Sequence, residues 1–206
     1  MSEHILEFNG LARRYGYRWV LKNVSGSLGS KQLAGLAGSN GSGKSTLLNI
    51  LAGLLRPHKG SIRKSTNVFL LGHEPMLYAG LTARQNLEYA AGIFRADQSK
   101  IDFVFEYCGL KSHKNKSPLY FSRGMLQRLA IARIILIQPK IVMFDEPFTG
   151  LDQNGQILLN LILKDRGLAE TGWRFDCGIL VEHDSAKLEQ FSDSLWKMTD
   201  QGELVT

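Results

Sequence analysis

A glycine-rich stretch from Gly38 to Thr46 carries the clearest chemical signal in the sequence. It reads Gly-Ser-Asn-Gly-Ser-Gly-Lys-Ser-Thr, which fits the phosphate-loop pattern of a glycine, four residues and then Gly-Lys-Ser. Glycines allow the backbone to turn its N–H groups inward onto phosphate oxygens, and the N-terminus of a following helix adds positive potential. Lys44 is predicted to reach the β- and γ-phosphates of a nucleotide, and the Ser45 hydroxyl to bind Mg²⁺. The residues assigned to phosphate binding are Gly38, Ser39, Asn40, Gly41, Ser42, Gly43, Lys44, Ser45 and Thr46.

An acidic pair forms the second signal. Asp145 and Glu146 directly follow the apolar segment Lys140–Phe144, which has the pattern of a buried strand. In an open parallel sheet, ligands bind at the carboxyl ends of the strands. Two carboxylates at such a place are costly to bury unless a cation or a proton compensates their charge. We therefore predict that Asp145 is a Mg²⁺ ligand that shares the ion with Ser45, in preference to an ordinary helix cap.

A histidine and a tyrosine extend the candidate site. His183 lies just after the apolar segment Cys177–Val181. A lone histidine is more often structural than catalytic, but this strand is expected to end at the same sheet edge as the one before Asp145, which favours a functional role. Tyr15 precedes the phosphate loop on an early β ribbon. Stacking on an adenine ring is its functional interpretation, and packing on the sheet is the alternative.

Hydrophobic periodicity and capping signals predict the elements that position these residues. The predicted strands are Ile5–Ala12, Trp19–Leu28, Gln32–Ala37, Asn67–Leu71, Lys140–Phe144, Cys177–Val181 and a closing hairpin of Ser194–Met198 and Glu203–Thr206. The predicted helices are Leu47–Leu55, one capped by Thr82, one marked by Ile101 to Cys108, Phe121–Ile137, Gln153–Asp165 and Ala186–Phe191. We expect one α/β domain over residues 1–206, with a mostly helical insert at about 77–138.

The amino-acid composition limits the classes of protein to which this chain can belong. The 206 residues are 44% hydrophobic and carry a net charge of +6, with no run of five like charges, which favours a mildly basic globular surface. Cys108 and Cys177 are far apart, so we expect two reduced, buried thiols in a cytosolic compartment. The pattern from Met1 to Asn9 does not predict a signal peptide. The most apolar run, Leu129–Ile137, is too short to span a bilayer.

Taken in this order, the motifs resemble those of the ATP-binding subunits of ABC transporters over nearly the whole chain. Gly38–Thr46 resembles the Walker A loop, Ile141–Glu146 the Walker B strand with its catalytic glutamate, and Asp152 the acidic residue of the D-loop. His183 resembles the switch histidine, and Tyr15 matches the adenine-stacking aromatic. The resemblance implies a P-loop NTPase core with a parallel sheet, an N-terminal antiparallel β part and an inserted helical subdomain. It also implies ATP and Mg²⁺ as ligands and ATP hydrolysis coupled to transport.

The same resemblance implies roles for single residues and for partners. Glu146 would act as general base or water-orienting group, and His183 would contact the γ-phosphate of ATP. The signature segment of one subunit would complete the ATP site of its twin, so a homodimer is expected. Separate membrane-spanning subunits are expected as partners, and nucleic acid is not. The implied location is cytoplasmic, peripheral on the cytoplasmic face of the cell membrane.

The chain departs from the family pattern at two places. The signature usually reads Leu-Ser-Gly-Gly-Gln, whereas Phe121–Met125 reads Phe-Ser-Arg-Gly-Met. A serine hydroxyl and a helix N-terminus can still hold a γ-phosphate, so Ser122 and Gly124 are assigned to ATP, with an altered affinity expected. At the Q-loop, either His73 or Glu74 stands where the family has glutamine, and the sequence does not choose between them.

Three segments and the short length resemble, within this family, the ATPase of the haem-export complex of cytochrome c maturation. The segments are Gly-His-Glu-Pro, the phosphate loop with its preceding alanine, and Phe-Asp-Glu-Pro-Phe-Thr-Gly-Leu-Asp-Gln-Asn-Gly. One alternative is an exporter ATPase for another cargo, such as a drug or a polysaccharide. Another is a non-transport ABC ATPase. A P-loop kinase shares the phosphate loop but has no need of the signature segment or of the His183 switch.

Overall fold

The fold comes from a computed structural model, which describes residues 4–72 and 74–206. The chain divides into two compact units. The first comprises the described residues up to Leu70 together with Lys140–Glu146 and Phe175–Thr206, and the second comprises Leu71–Pro139 and Pro147–Arg174. The expected organisation, one domain over residues 1–206 with an insert at 77–138, stays a prediction.

Strands and helices follow one another along the whole of the described chain. The strands are β1 (Leu6–Tyr15), β2 (Arg18–Leu28), β3 (Gln32–Ala37), β4 (Lys59–Lys64), β5 (Val68–Gly72), β6 (Ile141–Asp145), β7 (Gly167–Leu168), β8 (Trp173–Arg174), β9 (Cys177–Val181), β10 (Ser194–Met198) and β11 (Leu204–Val205). The helices are α1 (Lys44–Ala52), α2 (Ala83–Phe94), α3 (Ile101–Tyr107), α4 (Arg123–Ile137), α5 (Gln153–Asp165) and α6 (Ser185–Phe191). Among the described residues, no helix combines the length and hydrophobicity that a membrane span requires.

The first unit contains a three-stranded antiparallel sheet in the order β2-β1-β4. β1 and β2 form a hairpin in which Tyr15 pairs with Arg18, so Gly16 and Tyr17 make a two-residue turn. The inner face of this sheet is apolar and belongs to the main core. Phe8 is fully buried there, and its ring meets the indole of Trp196 edge to face at a centroid distance of 6.1 Å.

A six-stranded sheet in the order β11-β10-β3-β9-β6-β5 carries, at the carboxyl ends of its central strands, the predicted site residues that follow β3, β6 and β9. β9 pairs in parallel with β3 on one side and with β6 on the other, and β10 pairs in parallel with β3. Val181 pairs with both Leu36 and Asp145, so the three central strands end at the same level. The segments that follow them, which begin at Gly38, Glu146 and Glu182, therefore leave the sheet at the same edge.

The second unit is mainly helical. A capping box begins α2, because the Thr82 hydroxyl accepts from the Gln85 backbone N–H while the Gln85 side chain accepts from that of Thr82. α4 packs against α2, α3 and α5 and buries one apolar side chain after another from Leu129 to Leu136. Arg133 of α4 holds the segment that leads into α2, since its guanidinium donates to the carbonyls of Pro75 and Met76 at 2.9 and 2.7 Å.

Several element boundaries differ from the sequence-based expectation. α1 begins at Lys44, three residues before the predicted Leu47, because the last residues of the phosphate loop already form its first turn. α4 begins at Arg123 and not at Phe121, since Ser122 is the capping residue. β4 was not predicted because its side chains are almost all exposed, which leaves no alternating pattern to detect. β7 and β8 are too short for a periodic signal.

Candidate functional site

The phosphate loop adopts the backbone conformation that its glycines were predicted to permit. Gly38, Gly41 and Gly43 have φ values of +154°, +77° and +108°, a region that favours glycine. Gly43 is the N-terminal cap of α1. The free N–H groups at the start of this helix therefore face the loop, as an anion-binding site requires.

Two polar side chains of the loop are withdrawn from solvent. Lys44 is only 6% exposed, and its ammonium donates to the carbonyls of Gly38 and Ser39 at 2.7 and 2.9 Å. Ser42 is 3% exposed, and its hydroxyl oxygen is buried without a hydrogen-bond partner among the described residues. A buried hydroxyl without a partner is costly, so a phosphate oxygen is a suitable ligand for it. Ser39, Asn40 and Gly41 are exposed at the mouth of the loop.

The predicted Mg²⁺ ligands suit that ion in their chemistry. Asp145, the last residue of β6, is 5% exposed, and Ser45 lies in the first turn of α1, which packs against β6. A carboxylate and a hydroxyl are hard oxygen donors, and Mg²⁺ is typically held by one or two such groups together with phosphate oxygens and water. Both residues belong to the first unit.

Glu146 and His183 are joined directly. The His183 Nε2 atom lies 2.9 Å from Oε1 of Glu146, within hydrogen-bond distance. Glu146 has a φ of +49°, which is unusual for a residue with a side chain and costs on the order of 1–2 kcal/mol. Its backbone N–H donates to the carbonyl of Val181 at 3.0 Å, so the end of β9 holds it in place. Strained backbone of this kind is concentrated at functional sites.

Glu182, which directly follows β9, is an acidic residue for which the motifs predict no role. It is 8% exposed, and its Oε2 atom has no hydrogen-bond partner among the described residues. Burial raises the pKa of its carboxyl, and the negative charge of Glu146 acts in the same direction, against Lys187 and the backbone N–H of His183. The available signal was an acidic residue directly after a buried strand, the same signal that identified Asp145.

Tyr15 ends β1 with its side chain 51% exposed, so its ring is accessible to a ligand. The guanidinium of Arg13 lies over the ring, 5.3 Å from its centroid, and the same guanidinium donates to the carbonyl of Arg56 at 2.9 Å. In this cation–π contact the guanidinium covers one face of the Tyr15 ring. The adenine-stacking role of Tyr15 stays a prediction.

The signature and D-loop segments are tied together within the second unit. The Ser122 hydroxyl caps α4 by accepting from the Met125 N–H at 3.3 Å. Asp152 caps α5, and its other carboxylate oxygen lies 3.2 Å from the Arg128 guanidinium of α4. The same carboxylate lies against Gly124. Ser122 and Gly124 thus stand at the N-terminus of a long helix, the place predicted for them, and their role toward a partner's ATP stays a prediction.

Arg123 replaces the glycine that the family signature has at this position. Its side chain lies against Gly150, in the loop that precedes Asp152. The arginine is tolerated because it is the first residue of α4 and adopts helical backbone, so no positive φ is required.

The Q-loop alternatives stay open. His73 lies outside the described residues, and Glu74 is exposed. Glu74 lines an apolar groove of the second unit with a volume of about 490 Å³. The other lining residues are Pro75, Met76, Leu77, Ala79, Pro118, Leu119, Phe121 and Leu126.

Comparison with known proteins decides the family. The profile of the ABC transporter family matches residues 21–149, from β2 through the Asp145–Glu146 pair. The chain belongs to the ABC transporter ATP-binding family. It is therefore an ABC ATPase domain, and the α/β fold expected from the motifs is confirmed.

Two curated relatives illustrate the similarity. An uncharacterized ABC transporter ATP-binding protein, YdbJ of Bacillus subtilis, is 37% identical over 169 residues, which is 75% of this chain and 54% of that protein. The aliphatic sulfonates import ATP-binding protein SsuB of Mycobacterium avium is 31% identical over 94% of this chain and 77% of that protein. This ABC ATPase domain thus spans about half of the first relative and three quarters of the second.

Solved structures agree on the fold. An ATP-binding subunit of an ABC transporter superimposes with a TM-score of 0.85 at 24% identity, covering 98% of this chain and 88% of that chain. The dimeric ATP-binding cassette MJ0796, in a post-hydrolysis state bound to ADP and Pi, superimposes with a TM-score of 0.81 at 24% identity, covering 98% and 97%. At this identity the likeness concerns the fold.

Proposed function

We propose that this chain is the motor subunit of an ABC transporter, in which ATP hydrolysis at the sheet edge drives separate membrane-spanning subunits. The observation that carries the proposal is the pairing of Glu146 with His183 at the edge where the phosphate loop also leaves the sheet. A phosphate cradle suits the hydrolysis of a nucleoside triphosphate when a carboxylate and a histidine beside it can orient the attacking water and accept its proton.

Each group of the edge has a distinct task in the proposed reaction. Water attacks the γ-phosphate in line, and Glu146 orients that water and accepts its proton, a contribution of about 10²–10⁴-fold. Lys44 and the loop N–H groups stabilise the negative charge on the phosphoryl oxygens. Mg²⁺, held by Ser45 and Asp145, supplies further charge neutralisation when bound. His183 holds the Glu146 carboxylate and contacts the γ-phosphate.

Two copies of the chain are proposed to enclose two ATP molecules head to tail. In this arrangement Ser122 and Gly124 of one copy contact the γ-phosphate held by Lys44 of the other. Loss of the γ-phosphate removes contacts that only the closed dimer makes, so hydrolysis shifts the population toward open subunits. The dimeric cassette that resembles this chain in fold supports the proposal.

The apolar groove of the second unit is the proposed docking place for the membrane-spanning subunits, on the cytoplasmic face of the membrane. Met76 is 49% exposed and Leu119 is 72% exposed at this groove, an unusual amount for apolar side chains that are near one another. Glu74 adds one charge at the rim. A short amphipathic helix of a partner would cover these side chains with its apolar face.

The transported substrate can be stated more specifically. Haem export in cytochrome c maturation rests on the motifs around His73, the phosphate loop and Asp145. A relative named for aliphatic sulfonate import favours import as a second candidate. Haem and a sulfonate differ in size and polarity, so a transport complex should accept one and not the other. Purified membrane complexes that contain this chain are placed in proteoliposomes, and phosphate release is measured with each compound. The transported compound should stimulate phosphate release, and the other should not.

The ATPase mechanism is tested with Glu146→Gln, which keeps the shape and some hydrogen bonding of the side chain but removes proton acceptance. ATP binding should persist while phosphate release falls by about 10²-fold or more. Glu189→Gln, an equivalent change on the exposed face of α6, should leave turnover unchanged. Near-normal turnover of Glu146→Gln would exclude the proposed role.

Sedimentation of the wild-type chain with ribosomes or DNA, and not with membranes, would contradict the transport role.

A further inference from the structure

The turn between β10 and β11 places an acidic side chain against the phosphate loop. The carboxylate of Asp200 accepts a hydrogen bond from the hydroxyl of Ser39, the second residue of the loop. The carbonyl of Ser39 in turn accepts from the ammonium of Lys44 at 2.9 Å. A chain of two hydrogen bonds therefore connects the C-terminal turn with the lysine that is proposed to bind the phosphates.

The turn itself is firmly held. The Gly202 N–H donates to the carbonyl of Thr199 at 3.0 Å and closes the turn, and the Lys22 N–H of β2 donates to the carbonyl of Gly202 at 2.7 Å. A Cβ atom at Gly202 would lie 2.2 Å from the carbonyl oxygen of Val20, so only glycine allows β2 this close. The backbone on both sides of Asp200 is thus fixed by bonds that do not involve its side chain.

A carboxylate beside a phosphate loop has a cost for ligand binding. The loop attracts anions, and a negative side chain next to it weakens the field that remains for a phosphate. Its hydrogen bond to Ser39 offers a compensating gain, because a bond that an ionised acceptor makes is stronger than one between neutral groups. Ordering the loop before the nucleotide arrives reduces the entropy that binding must remove.

We propose that Asp200 is a positioning residue that orders the phosphate loop for ATP through Ser39. The inference rests on the proposed binding of ATP at this loop. The hydrogen bond of Asp200 goes to Ser39, and those of the Lys44 ammonium go to the carbonyls of Gly38 and Ser39, so Asp200 is expected to act on ATP binding and not on the hydrolysis step. Ser39 transmits its effect to the carbonyl that holds the lysine.

Four variants of the full chain test the proposal: Asp200→Ala, Asp200→Asn, Ser39→Ala and the double variant of Asp200→Ala with Ser39→Ala. KM for ATP and kcat are measured by phosphate release. Asp200→Ala should raise KM about 2- to 10-fold, the loss of one hydrogen bond, with kcat within twofold of wild type. Asp200→Asn keeps a neutral acceptor oxygen and should restore part of the affinity. Ser39→Ala should match Asp200→Ala, and the double variant should be no worse than either.

Control variants distinguish a loss of ordering in the phosphate loop from a general loss of folding and from an absence of ATP binding. Glu203→Ala removes a neighbouring carboxylate of the same hairpin and should leave KM unchanged, because the bond of Glu203 to Thr199 uses the backbone N–H. Additive effects in the double variant, or a lower kcat at constant KM, would overturn the positioning role while ATP turnover stands. A wild-type chain without affinity for ATP would overturn both. If Asp200→Ala does not fold, Ser39→Ala and Asp200→Asn are compared instead. Ser39→Ala removes the hydrogen bond, whereas Asp200→Asn keeps an acceptor for it, so KM should rise more in Ser39→Ala.

Discussion

The imidazole of His183 and the carboxylate of Glu146 form one hydrogen-bonded unit, with 2.9 Å between Nε2 and Oε1. The two residues are 37 positions apart and leave the sheet from neighbouring strands. Because Glu146 has a positive φ, its side chain needs support from outside its own loop. His183 gives that support from the adjacent strand end, which makes it a positioning group as well as a proposed contact of the γ-phosphate.

The first prediction concerns this support. His183→Ala removes the hydrogen bond and the γ-phosphate contact, so phosphate release should fall by about 10-fold or more while ATP still binds. His183→Gln keeps a nitrogen donor at a similar distance and should recover part of the rate. His4→Ala, at an exposed histidine of the same unit, serves as the control and should behave like wild type. Equal rates for His183→Ala and wild type would contradict the assignment.

The fold could be predicted from the sequence wherever a local pattern exists. The bounds of α5 and β9 match the expectation residue for residue, because apolar periodicity and the capping residue Asp152 define α5 and a continuous apolar run defines β9. β4 has no such pattern, since it is held by backbone pairing with β1 and exposes its side chains. Backbone pairing leaves no trace in the residue types.

Only those residues of the candidate site that belong to a local sequence motif could be predicted. Lys44, Asp145 and His183 belong to local patterns, and the topology explains why three strand ends bring them to one edge. The bond between Ser39 and Asp200 joins residues 161 positions apart, and nothing near either one in the sequence indicates the other. Contacts of this kind depend on the tertiary arrangement of strands and turns.

The second prediction concerns Lys44. Lys44→Ala removes the cation that is proposed to span the β- and γ-phosphates, so ATP affinity and turnover should both fall. The fold should remain, although the carbonyls of Gly38 and Ser39 each lose a donor, at a cost of about 1–3 kcal/mol in the free energy of unfolding. Calorimetry measures the affinity and denaturant titration the stability. An unchanged affinity would contradict the phosphate-loop assignment.

The third prediction concerns the two thiols. Burial raises the pKa of Cys108 and of Cys177 to about 12, from an ordinary value of 9.0. The native chain should therefore react very slowly with a thiol reagent at pH 8, while the unfolded chain reacts at both cysteines. The folded chain also keeps thiol protons that the unfolded chain loses, so the stability they contribute is full below pH 9 and falls between about pH 9 and 12. Fast labelling of the native chain would contradict the buried assignment.

The last prediction concerns the signature segment. In the Glu146→Gln protein, which binds ATP without turnover, ATP should bring two chains together because its γ-phosphate contacts both copies. ADP lacks that phosphate and should leave monomers. Adding Ser122→Arg places bulk and charge where the partner's phosphate is proposed to bind, so dimers should fail while the monomer still binds ATP. Light scattering gives the mass of each species, and calorimetry its ATP affinity.

The control for this change must also remove a capping serine, because Ser122 caps α4 and its loss costs about 1 kcal/mol of stability by itself. Ser117→Arg in the same Glu146→Gln background meets this need, since the Ser117 hydroxyl caps a short turn that belongs to neither the signature nor the phosphate loop. Dimers should form with ATP when Ser117 is changed and not when Ser122 is changed. If both variants dimerised equally, Phe121–Met125 would be only the start of a helix, because a residue without a role at the interface has no effect on association beyond its effect on the fold.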